Sequence, residues 1–177
     1  MTTHPLIDQY RFTRSEFRRA LAGVDDDNSR HRFGPINSLS WMICHMAAHE
    51  RSFWLVRAQG IEHVAPELDD WGAHGKPATT PPLAASWAAW DAVVAVVDPY
   101  FDTLTAERVS EHLIVAGRPH QESIGTMLLR GIYHYWFHTG EASAVRQLLG
   151  HTGLPDFVGP IGQEAPYRPE TGSGAAD

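Results

Sequence analysis

The sequence predicts an all-α fold, a four-helix bundle with long connections between its second and third helices and between its third and fourth. Three observations predict it. Apolar side chains recur near the 3.6-residue period in four long stretches. Capping and breaking residues flank those stretches: Asn37 or Ser38, Gly60, Pro81-Pro82, Ser123 and Gly150. Two segments of different composition, 61–82 and 105–121, separate the last three stretches. A chain of 177 residues that is 43% hydrophobic is long enough to bury one core, so one domain is expected.

The first helix is expected over 5–23, with Leu6, Tyr10, Phe17, Leu21 and Val24 on its apolar side and Arg11, Arg14, Arg18 and Arg19 on a solvated side. The run Asp25-Asp26-Asp27-Asn28 stops it, and Gly34-Pro35 marks a turn. The second helix runs from the cap at Asn37 or Ser38 to Gly60 and is apolar around most of its circumference as far as Glu50-Arg51, which makes it central. Residues 61–82 read as a long connection, a kind of segment that often carries function. Trp71 and His74 are candidates to point inward from it.

Pro81-Pro82 introduces the third helix, 83–104, which Pro99 ends or kinks. In 105–121, HLIV is a candidate short strand or hairpin, and Gly117-Arg118-Pro119 reads as a turn. The fourth helix runs from Ser123 to about Leu149. The bundle domain is expected over 1–160 and a partly disordered tail over 161–177, with Leu154 to Ile161 packed.

Charge and composition narrow the function. The net charge of -7 argues against non-specific nucleic-acid binding and against an anionic membrane surface. No apolar run is long enough to span a bilayer, and the first residues lack the apolar core of a signal peptide, so the expectation is a cytoplasmic protein. The single cysteine, Cys44, rules out an intrachain disulfide and reads as a small core residue. Five of the six tryptophans, Trp41, Trp54, Trp87, Trp90 and Trp136, read as core. No P-loop, G-x-G-x-x-G, H-E-x-x-H or G-x-S-x-G motif is present.

The eleven histidines are the anomaly. His134 and His138 are four residues apart, which puts them about 40° apart on one helix face, where two imidazoles can share one metal ion. Tyr133, Tyr135, Trp136 and Phe137 are expected to wall them in. Glu141 follows on the same face as a fourth ligand, a general base or an acceptor that orients an imidazole. The second helix offers His45 and His49, again four apart, and spacing leaves open which of them supplies a third ligand. Three protein ligands with an open position suit catalysis, whereas four look structural. His112 and His120 could reach the site from the third connection.

NSLSWMICHMAAHERSFW, with Trp41, His45 and Glu50, resembles the second helix of the DinB/YfiT-like metalloenzymes. GIYHYWFHTGEASAVRQLLGH resembles their fourth, through His134, His138, Gly140, Glu141, Arg146 and Leu148-Leu149. The resemblance spans roughly residues 5–150. It implies a DinB/YfiT-type bundle, a metal triad on His45, His134 and His138, and a divalent ion such as zinc or nickel. It further implies a small-molecule substrate, a homodimer, and chemistry of the kind in which mycothiol or bacillithiol is the thiol of an S-transferase. In that reading Glu141 and His49 move protons or orient ligands. Two other readings stay open: a non-catalytic metal-binding or stress-response module with a structural metal, and a metal-free helical protein.

Overall fold

Helix α1 (Pro5–Ala20) starts where two local signals coincide: proline stands in its first turn, and the His4 ring accepts a hydrogen bond from the Leu6 N–H. The computed structural model describes residues 4–168. The outer part of the expected tail, 169–177, lies outside the described residues. Ile7, Tyr10 and Phe17 of α1 are fully buried.

Arg14 falls on that same inward stripe and is only 3% exposed. This corrects the expectation of a solvated side: position on the stripe, not charge, decides where residue 14 goes. Its guanidinium enters the core because Glu50, itself fully buried, meets it there. The acidic run that follows does not simply stop the chain, since Asp25 caps a short helix, α2 (Asp26–Arg30).

Ser38 caps α3 (Leu39–Glu50), its hydroxyl accepting from the Trp41 N–H. The helix continues past Glu50 in a wider π-helical form over Arg51–Arg57, and Gly60, at φ 69°, follows its end. The connection after it is not structureless. It holds α4 (Leu68–Trp71), whose Leu68 is buried against the core.

Helix α5 (Leu83–Phe101) contains Pro99 and stops two residues later. A short α6 (Ala106–Val109) then leads to an antiparallel hairpin, β1 (His112–Val115) with β2 (Arg118–Ser123). Its turn is Ala116-Gly117, both at positive φ, one residue ahead of the expected Gly117-Arg118-Pro119. Ser123 caps the longest helix, α7 (Ile124–Leu148).

Four long helices form the core: α1 lies against α7, α3 against α5, and α3 also meets α7. The fold is therefore mostly helical but richer than a plain four-helix bundle, with the hairpin and four short helices added among the described residues. Gly131 makes the α1–α7 approach possible, because a Cβ there would stand 2.4 Å from the Tyr10 ring. After α7, Gly159 donates to Glu16, α8 (Ile161–Glu164) forms, and Gln9 donates to the Ala165 carbonyl. No helix among the described residues is long and apolar enough to cross a membrane.

Candidate metal centre

The contact of α3 with α7 brings three imidazoles to one point. Nε2 of His134 lies 3.2 Å from Nε2 of His45 and 3.1 Å from Nε2 of His138. One ligand atom from each of the three residues lies within 4.8 Å of the others.

The outer nitrogens fix what the inner ones can do. His45 Nδ1 is 2.8 Å from the Gly72 carbonyl, which only accepts, so Nδ1 carries the proton. His138 Nδ1 is 2.7 Å from the Glu141 carboxylate and donates to it, while Asn37 Nδ2 holds the other Glu141 oxygen at 3.3 Å. In the neutral rings both Nε2 atoms are then lone pairs aimed at His134, whose own Nε2 can donate to at most one of them. Burial favours the neutral form of His45 and His134. It lowers the pKa of His45, and that of His134 falls to about 3 through burial and then the neighbouring His49, His138 and His45.

This donor set fits a divalent cation. A tetrahedral ion with Zn–N bonds of about 2.0–2.1 Å requires nitrogens about 3.3 Å apart, close to the spacing found. Glu141 is spent on orienting His138, which is the third of the roles its position in sequence allowed.

The walls differ from those expected. Tyr133 and Phe137 are 66% and 68% exposed, and Tyr135 turns away to donate to Glu50. Trp41 walls the site instead, stacked on the His45 ring at 4.4 Å and 10°. The Trp41 position is legible in hindsight, since it stands one turn before His45 on the same face. Gly72 left no such signal. It must be glycine because a Cβ would stand 2.4 Å from the Cys44 backbone, and that close approach lets its carbonyl reach His45.

His49 stands beside the triad, its ring 4.6 Å from His134 and 4.5 Å from Phe53. Its Nδ1 is buried with no hydrogen-bond partner among the described residues. Burial, then His45 and nearby arginines, brings its pKa to about 4. It lines two cavities. One, of about 480 Å³, also reaches His45, Phe53, Arg57 and His74. The other, of about 590 Å³, reaches His134, Leu129 and Tyr133.

His74 is thus beside the site, though exposed, and Trp71 is half-buried. His112 bonds through Nδ1 to the His120 carbonyl, and neither ring joins the triad. Cys44 is buried on α3, as expected.

The profile of the DinB superfamily matches residues 9–142. The crystal structure of a conserved protein from Enterococcus faecalis superposes with a TM-score of 0.62 at 15% identity, over 82% of this chain and 96% of that one, a likeness of fold. No curated protein gives a significant match.

Proposed function

The chain belongs to the DinB superfamily, and on that premise we propose that it is a metal-dependent enzyme that holds one divalent ion, zinc or nickel, on His45, His134 and His138. The observation that carries the proposal is the tautomer lock: Gly72 and Glu141 take the outer protons of two rings, leaving inner lone pairs that one cation can draw on together. A bound ion supplies Lewis acidity and stabilises a thiolate or hydroxide at neutral pH.

The reaction class proposed is transfer of a low-molecular-weight thiol, mycothiol or bacillithiol, to a small electrophile. Support comes from the family resemblance and from the two cavities that meet at the histidines. Access of this kind suits catalysis better than a filled structural shell. His49, with an unpartnered ring nitrogen, accepts a hydrogen bond from the thiol and orients it, and the thiol, its pKa lowered by a bound ion, loses its proton to solvent. The sulfur electron pair then forms the bond to the electrophilic carbon, and the displaced pair stays with the electrophile. Glu141 fixes the ring of His138. A cytoplasmic location and a homodimer complete the proposal. The single, buried, free cysteine is compatible with a reducing compartment.

The test is elemental analysis of protein purified without a metal-affinity column, followed by assays that pair thiols with electrophiles. About one ion per chain is expected, falling to background in His134→Ala. Wild-type protein that stays substoichiometric after reconstitution with zinc or nickel sinks the proposal. A filled site with no thiol-dependent turnover sinks the transferase part alone.

A further inference from the structure

The cavity of about 480 Å³ that opens beside His45 and His49 has a polar far end, and its two arginines are in opposite states. Arg51 is paired and bonded. Its guanidinium donates to the Val64 carbonyl at 2.8 Å, to Asp69 at 2.8 Å and to the Glu62 carbonyl at 2.6 Å, which ties the connection after α3 to the helix. It builds the wall: three of its five N–H donors are used and Asp69 pairs its charge.

Arg57 is half-buried and has no acceptor at all among the described residues. Its one contact is the Phe53 ring, over which the guanidinium stacks at 4.3 Å. Of the described arginines only Arg118 shares this lack of hydrogen bonds and ion pairs, and Arg118 is exposed where the hairpin turns. A guanidinium partly withdrawn from water with its donor fork unused is costly unless something completes it.

The stacking also fixes where that fork sits relative to the histidines. Arg57 lies over Phe53, Phe53 packs on His49 at 4.5 Å, and His49 packs on His134 at 4.6 Å. The continuous pile runs from the guanidinium to the metal centre along one side of the cavity. Residues 49 and 57 are separated by up to about 12 Å of helix. The Ser52 hydroxyl, which makes no side-chain hydrogen bond to a described residue, lines the same path.

We infer that this cavity binds a small elongated molecule by its carboxylate, the carboxylate pairing with Arg57 while the other end of the molecule lies at His45 and His49. A single guanidinium near the carboxylates of Glu62 and Asp69 matches a monoanion better than a phosphate dianion. Placing the reactive end at the histidines rests on the enzyme reading above; the carboxylate subsite does not.

The experiment uses three six-carbon probes on zinc-loaded full-length protein, read by calorimetry: 6-mercaptohexanoate, 6-mercapto-1-hexanol, and adipate, which has no thiol. Wild type is expected to bind the mercapto-acid at least about tenfold more tightly than the mercapto-alcohol, the worth of one charge-assisted pair. R57Q is expected to erase that preference and to lose adipate, with zinc content, melting temperature and mercapto-alcohol affinity unchanged. R57K keeps part of the preference.

Equal preference in wild type and R57Q overturns the inference. So does a preference that is absent in wild type and appears only in E62Q, because the cation would then be serving its own neighbour. Adipate separates the two proposals. If zinc does not bind, or if neither thiol binds, the enzyme reading fails, while adipate binding that depends on Arg57 still stands on metal-free protein.

Discussion

Two polar clusters meet α3 and α7 in neighbouring turns, and they complete their bonding in opposite ways. In the first, Glu50 accepts from the Arg14 guanidinium and, at 2.5 Å, from the Tyr135 hydroxyl. Arg14 also donates to Asp98 at 2.7 Å, and Trp90 donates to the Tyr135 oxygen at 2.8 Å. Donors and acceptors are matched, and the group closes on itself. In the second, five residues back along α3 and one residue away on α7, three imidazole nitrogens face one another with too few protons to share. The contrast separates a polar group retained for architecture from one that waits for a cation, and it does so without reference to residue type.

The comparison breaks most visibly at the closed cluster. Glu50→Ala leaves the buried Arg14 charge without its main partner and is expected to cost about 3–5 kcal/mol in urea unfolding. The double variant Arg14→Met with Glu50→Leu is expected to recover most of that. If Glu50→Ala is nearly neutral, the cluster is not closed in the sense described.

At the open cluster the effect appears only with metal. Zinc at a hundredfold excess over its dissociation constant is expected to stabilise wild type by about 2.7 kcal/mol and His134→Ala not at all. Thermal melts with and without zinc read this difference. Without zinc, the two proteins should melt close together.

Glu141→Gln sharpens the contrast. It keeps an acceptor for His138 but removes the charge, so metal affinity is expected to fall about 10–100-fold by competition titration while unfolding without metal hardly changes. The smallest effect is expected at Cys44, which directly precedes His45 on α3. Burial pushes its thiol up to about 11, so the protonated form persists at pH 8. Ellman's reagent should find no reactive thiol in the folded protein and one in denaturant.

The sequence carried the parts of this arrangement that are local. Ser38 and Ser123 start α3 and α7 where capping rules put them. The spacing of His134 and His138 was enough to place both rings on one face, and family likeness chose His45 over His49. What sequence could not carry depends on a partner distant in the chain. Arg14 looked solvated because nothing near it announced Glu50, although Ile7, Tyr10 and Phe17 already drew an inward stripe through residue 14. Tyr133 and Phe137 stay beside the site, Tyr133 lining the cavity at His134 and Phe137 edge-on to His138 at 5.1 Å, but both are exposed because adjacent residues on a helix point about 100° apart. The π-helical turn, the α4 segment and the stacking of Arg57 on Phe53 emerge only from packing.

Gly72 has a consequence that reaches beyond its own loop. Its carbonyl sets the proton on His45, yet it belongs to the connection that Arg51 pins to the helix through Val64, Glu62 and Asp69. The His45 tautomer and the docking of residues 62–72 therefore share one set of contacts, since the carbonyl that holds the imidazole proton belongs to the segment Arg51 anchors. A residue with no side chain thus sets which nitrogen of His45 is left to face the other two rings.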